Sequence, residues 1–198
     1  MERAALYRRA LAPIMIAVGC IGLAAAILGW TLAIAAPRAF ILYWLGVAAI
    51  ACAVAFLLVR RQAIRAGEPV WSPPARRVVQ AATPPLAAGG LLGLAFLAIP
   101  ADTAITASGS PAVGLVWLPP SWIVLYGCAM HAAGFFMPRG MRPFGWLLIC
   151  GGCTVFTLKI ADAADPRFAH ATMGAFFGVV HQAYGFYLYL TEKKDCGE

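Results

Sequence analysis

The sequence predicts an all-α polytopic membrane protein, a transmembrane bundle of six helices with short loops and no soluble domain. Three observations carry that expectation. Of 198 residues, 62% are apolar and 12% charged, and mean hydropathy is +0.81, whereas soluble domains are about 45–50% apolar and about 25% charged. The apolar residues gather in runs near the length needed to cross ~30 Å of hydrocarbon, and the basic residues sit in short clusters between those runs. A soluble globular enzyme is excluded, and residues 1–198 read as one integral membrane domain.

The first span is expected at Leu11–Ala36. Arg3, Arg8 and Arg9 before it look like the start of a signal sequence, but the run is longer than an h-region of about 7–15 residues, so it reads as a retained span. Gly19-Cys20 is not read as a lipidation site, because the apolar run continues past it. Pro37 and Arg38 leave room only for a tight turn, so the second span, Ala39–Val59, returns as the other arm of a hairpin. The link Arg60–Ala82 contains Gly67-Glu68-Pro69-Val70-Trp71-Ser72-Pro73-Pro74, whose prolines interrupt a helix. It is expected to lie along the headgroups, with Trp71 dipping in and Arg60, Arg61, Arg65, Arg76 and Arg77 meeting anionic lipid headgroups; a partner-docking loop is the other reading.

The third span is expected at Thr83–Ile99. The outer link Pro100–Leu118 has Asp102 as its only charge and reads as an interfacial cap, with a re-entrant segment as the alternative. Spans four, five and six follow at Pro119–Met137, Phe144–Lys159 and His170–Leu190; between the last two, Asp162 and Asp165 make a solvated turn with Lys159.

Orientation comes from counting basic residues. Arg3, Arg8, Arg9, Arg60, Arg61, Arg65, Arg76, Arg77, Arg139, Arg142, Lys193 and Lys194 fall on one side, twelve in all, and Arg38, Lys159 and Arg167, three in all, on the other. The positive-inside rule then puts both termini in the cytoplasm. The same clustering explains the net charge of +7 as a topology signal, so nucleic acid is not an expected partner. Trp30, Trp44, Trp71, Trp117, Trp122 and Trp146 mostly fall near span ends and read as an interfacial belt. Cys20, Cys52, Cys128, Cys150 and Cys153 lie in apolar runs and Cys196 in a charged tail, which argues against structural disulfides.

The sequence contains no phosphate-binding loop, no dinucleotide fingerprint, no His-Glu-x-x-His and no paired carboxylates within a span. Histidines are the informative residues, since ionisable groups in apolar spans are costly and face the bundle interior. His131 lies six residues from the inner end of span four and His181 nine from that of span six; at 1.5 Å per residue their depths differ by about 5 Å. Cys128, Cys150 and Cys153 fall in the same layer, so His131, His181, Cys128, Cys150 and Cys153 form the candidate intramembrane site. Soft metal or haem through His131 and His181 is one use of such a set; small packing residues with hydrogen-bonded histidines is the other, and no cofactor is expected. His170 reads as interfacial, near the outer mouth. Gly127, Gly134, Gly152, Gly174, Gly178 and Gly185 make small-residue faces through which spans four, five and six are expected to pack against one another.

The Gly67–Pro73 run leading to Pro84-Pro85-Leu86, the Leu118-Pro119-Pro120-Ser121-Trp122 run reaching Leu125-Tyr126-Gly127, and Gly178 to Gly185 around His181 together resemble a group of six-helix bacterial membrane proteins. The resemblance, to an inner-membrane group, covers roughly Arg60–Leu190 and implies a fold and nothing more. The Pro-Pro-Ser-Trp piece is also similar to the tryptophan-rich sensors of the translocator-protein family, whose internal spacing and five spans differ.

Three function classes follow. A non-catalytic sensory or accessory membrane module leads, with a membrane-protein partner or a second copy as its companion. A small transporter or channel of two inverted three-helix halves comes second, with Gly89, Gly90 and Gly93 and the Gly151-Gly152 pair loosening helices around a midplane site. A haem- or metal-binding redox protein comes third.

Overall fold

The computed structural model describes residues 2–98, 113–137, 140–157 and 165–195. Expectations that rest on Asp102, Arg139, Lys159, Asp162 and Cys196, and on the side chains of Arg3, Arg8, Arg9, Lys193 and Lys194, lie outside that description. Among the described residues there is no strand. The helices are α1 (Glu2–Thr31), α2 (Pro37–Arg65), α3 (Pro73–Ala98), α4 (Val113–Ala133), α5 (Met141–Thr157) and α6, which runs unbroken over 166–195 as an α-helix, a π-helical stretch at Gly174–Val180 and a second α-helical part. Among the described residues, four segments are long and apolar enough to cross a membrane: Leu11–Thr31, Pro37–Arg65, Pro73–Ala98 and Leu115–Ala133.

The helix ends differ from the expected spans for identifiable reasons. α1 stops at Thr31 rather than Ala36, because Ala33 takes a left-handed φ of 48° and the turn closes with Ile34 N–H donating to Gly29 C=O at 3.1 Å and Ala33 N–H to Trp30 C=O at 3.2 Å. Pro37 then opens α2, where a missing N–H is no loss. α2 ends in the same motif with Gly67 at φ 65° and Glu68 N–H donating to Ala63 C=O at 3.0 Å.

Only residues 66–72 separate α2 from α3, so the expected headgroup-lying stretch Arg60–Ala82 is corrected: Arg60, Arg61 and Arg65 ride on α2, and Arg76 and Arg77 on the first turns of α3. Helix starts ten residues before Thr83 because Pro73 and Pro74 stand in the first turn, where no intrahelical N–H is needed. Two internal Pro pairs, Pro84-Pro85 in α3 and Pro119-Pro120 in α4, are carried inside continuous helix; in an apolar segment the helix survives them because no other open conformation keeps the remaining backbone groups bonded. α6 starts at Pro166, four residues before the expected His170, with the Asp165 carboxylate accepting from Arg167 N–H at 2.9 Å as its N-cap.

α1 and α4 are the central helices and α2 and α3 the peripheral ones: 39% and 44% of the apolar windows of α1 and α4 are buried, against 11% in each of α2 and α3. One core cluster joins Ala25 and Ala26 of α1, Phe40, Ile41 and Trp44 of α2, Leu115 and Leu118 of α4, and Ala169 and Met173 of α6. A second, towards the other end, joins Leu11, Ala12 and Met15 with Ile123, Met141, Phe144, Leu148 and Leu188. α2 is fully buried only at Phe40, Ile41 and Trp44, with Tyr43, Leu45 and Val47 half-buried against the same cluster.

Two close seams hold the bundle. Between α4 and α5, a Cβ on Gly127 would lie 2.8 Å from Ile149 N, one on Gly134 2.9 Å from Arg142 N, and one on Gly152 3.1 Å from Pro120 O. The α6 glycines meet α1 instead: Gly174 faces Ala26, Gly178 faces Leu23 at 3.0 Å and Gly185 faces Ile16 at 3.0 Å. Reciprocally, Gly22 of α1 abuts the Phe177 carbonyl. The expected mutual packing of spans four, five and six through these glycines is thus divided into an α4–α5 seam and an α1–α6 seam, since close backbone approach needs small residues on both partners and α1 supplies them at Gly19, Gly22 and Ala26.

Candidate functional site

His181 is fully buried at the first residue after the π-helical stretch. Its Nδ1 lies 2.8 Å from the Phe176 carbonyl, five residues back, and its Nε2 lies 3.1 Å from the Tyr126 hydroxyl of α4. A carbonyl only accepts, so Nδ1 carries the proton and donates to Phe176, and the neutral Nε2 accepts from the Tyr126 O–H. The ring is walled by Phe144 edge-on at 5.1 Å, Phe177 at 5.9 Å and the Tyr126 ring at 5.3 Å. The imidazole is therefore satisfied at both nitrogens inside an aromatic box, the condition a polar group needs in a hydrocarbon-like interior.

His170 forms a second such box, and the expectation that it is interfacial is corrected: it is 1% exposed. The Trp44 indole N–H donates to its Nδ1 at 3.2 Å, and its Nε2–H donates to the Ile34 carbonyl at 3.1 Å. Phe40 packs edge-on at 5.0 Å, and Gly29 leaves the space the ring fills. Ile34 is the residue that follows the left-handed Ala33, so the turn closing α1 also aims a carbonyl at the histidine. The interfacial-belt reading of the tryptophans is likewise corrected for Trp44, which is in the core, and for half-buried Trp122, whose indole donates to Gly89 C=O at 2.8 Å. Trp30, Trp71, Trp117 and Trp146 are exposed as a belt requires.

His131 has different surroundings. α4 ends at Ala133, so His131 stands in its last turn, with Nδ1 at 3.5 Å from the Arg142 carbonyl, Phe135 at 5.4 Å and Trp146 at 5.4 Å. The Arg142 guanidinium lies over the Phe135 ring at 4.3 Å, and Phe135 and Trp146 are both exposed. No residue in these contacts also touches His181. Among the candidate thiols, Cys150 and Cys153 are exposed on α5 and Cys128 is half-buried on α4; all five described cysteines are free. Among the described residues no three His, Cys, Asp or Glu side chains gather as a metal-ligand set.

Tyr126, Trp44, Ile34 and the buried position of His170 were missed by the sequence reading. Asp165-Pro166 was the available signal, since an N-cap followed by proline starts a helix one turn before His170 and carries that ring inward. Beside Tyr126 lies an apolar groove of about 220 Å³ between α2 and α3, walled by Ala48, Ala51, Cys52, Pro85, Leu86 and Gly90, with Trp122 and Phe177 at its floor. No family model, no curated protein and no solved structure matches the chain.

Proposed function

We propose that the chain is a non-catalytic sensory or accessory module of the bacterial inner membrane, with six spans and both termini in the cytoplasm. The observation that carries this reading is that both buried histidines spend both ring nitrogens on groups of the protein itself, so they act as staples between helices: His181 joins α6 to α4, and His170 joins α6 to α2 and to the end of α1. Such a ring binds iron or a soft metal only by giving up one of these partners. Six spans are supported by α5, whose 17 residues reach the lower limit for crossing, and by the continuity of α6 through its π-helical stretch. Twelve basic residues against three support the orientation.

An optical spectrum and metal analysis of the purified chain test the module reading, with no Soret band and no stoichiometric metal expected. A haem band lost in both His131→Ala and His181→Ala would replace it with the redox reading. For orientation, an impermeant maleimide should label Ser108→Cys from outside and Ser72→Cys only from inside; Ser108 lies outside the described residues. The transporter reading draws on the groove beside Pro85, Gly89 and Gly90, where α3 carries its Pro pair.

A further inference from the structure

We propose that the hollow between the first turns of α4 and α6 and the last turns of α5 binds a small neutral amphipathic alcohol. Its hydroxyl meets Thr172 and a carbonyl of α4, and its apolar body lies against aromatic rings. None of the residues that form the histidine boxes lines this hollow, whose volume is about 270 Å³, and the site goes beyond the module reading. Two independent observations put polar groups in it. On α4, Leu115, Val116, Pro119 and Pro120 all line it. Pro119 and Pro120 have no N–H, so the carbonyls of Leu115 and Val116 lose the donor four residues on.

Thr172 of α6 is the second observation. It lines the hollow, is 7% exposed, and among the described residues its hydroxyl makes no hydrogen bond. Other helical threonines of the chain turn back on their own backbone: Thr83, Thr154 and Thr191 donate to the carbonyl four residues earlier at 2.7, 2.8 and 2.9 Å. The Thr172 hydroxyl is therefore a buried polar group left for something outside the chain to meet. Phe168, one turn before it on the same face of α6, and Phe156, stacked on Trp117 at 5.7 Å, supply the apolar walls.

The donor and acceptor pattern selects the occupant. A carbonyl only accepts, whereas a hydroxyl both donates and accepts. An alcohol head can donate to a freed carbonyl and accept from the Thr172 O–H, so one group answers both. An anion would face the carbonyl oxygens, and a cation would find no acid among the described lining residues to offset its desolvation. One water can bridge the polar groups, but the hollow has room for several, and the rest would face Val155, Phe156 and Phe168 without partners. An apolar cavity of about 150 Å³ already takes a benzene-sized molecule, so a ring with a short arm ending in a hydroxyl fits here.

The test is fluorine NMR titration of the purified full-length chain in detergent with three probes of one shape: para-fluorophenethyl alcohol, para-fluorophenethylamine as its ammonium form, and para-fluoroethylbenzene, which has no polar head. Uptake by micelles does not saturate, so a saturable signal reports the protein site. Wild type should bind one alcohol per chain, at least about tenfold more tightly than either other probe, the effect of one to two hydrogen bonds. Thr172→Val should weaken the alcohol about fivefold to tenfold while leaving the thermal melt unchanged or raised, because the hydroxyl has no protein partner to lose. Val155→Phe, which adds bulk to the wall, should weaken it as well. Thr154→Val, outside the hollow, should leave binding as in wild type. No saturable signal means that solvent alone fills the hollow and overturns the site. Equal or tighter binding of the ammonium or of the headless probe by wild type overturns it too, as does undiminished alcohol binding by a folded Thr172→Val. The probe comparison needs no variant, so it decides the matter even if a substitution prevents folding.

Discussion

At the α1–α6 seam Gly22 and Gly178 hold two backbones in contact, while on α2 and α3 Gly46 and Gly90 face open space. In the first region an added Cβ would strike the Phe177 carbonyl or the Leu23 backbone; in the second it would strike nothing. α6 also carries buried polar anchors, His181 to Tyr126 of α4 and His170 to Trp44 of α2 and to Ile34, whereas the helices of the open edge are buried over only 11% of their apolar windows. The contrast shows that glycine in an apolar helix has two energetic meanings. Where it permits close packing, replacement costs van der Waals fit; where it faces space, replacement removes only the conformational penalty of glycine.

The sharpest way to break this comparison is to remove the His181 anchor. His181→Ala orphans the Phe176 carbonyl acceptor and the Tyr126 hydroxyl at about 1–3 kcal/mol each and adds a cavity, so detergent melts should show a loss of about 3 kcal/mol or more. Tyr126→Phe should lose about 1–3 kcal/mol, and the double variant should lose less than the two single losses together, because they share one hydrogen bond. Stability that is unchanged in His181→Ala would show that the box is not an anchor.

Next in size, Gly178→Leu should lose about 1–3 kcal/mol by overpacking against Leu23. A melt equal to wild type would dissolve the seam. His131→Ala should cost less than His181→Ala, because its one polar contact is a long 3.5 Å and its aromatic neighbours are exposed. Combined with His181→Ala, it should add within about 0.5 kcal/mol; strong non-additivity would mean that the two histidines work as one site. At the small end, Gly90→Ala and Ala33→Gly should each stabilise by about 0.5–1 kcal/mol, the first by lowering unfolded-chain entropy and the second by relieving a left-handed alanine. Ala33→Gly that destabilises would show the turn is not strained.

Membrane class and the chain order of the apolar segments were legible in the sequence, because hydrocarbon thickness imposes length and apolarity on each segment separately. The glycines of the seams were legible too, as small residues spaced four apart at Gly174 and Gly178. Their partners were not. Nothing local to α6 distinguishes α1 from α4 as the helix it meets, and that choice belongs to the tertiary packing in which Gly19, Gly22 and Ala26 line up against it.

The histidines divide in the same way. That an imidazole in an apolar span needs a partner followed from desolvation alone. Which partner it finds depends on atoms far apart in the chain: Tyr126 is 55 residues from His181, and Ile34 is 136 from His170. Depth along a helix can be counted from a sequence, but rotation about the helix axis, and the left-handed turn that aims one carbonyl, are set only when the helices dock. Composition and periodicity therefore determined which segments are apolar and long enough to cross a membrane, while docking decided which buried groups meet, because hydrogen bonds require angles and distances that no single segment fixes.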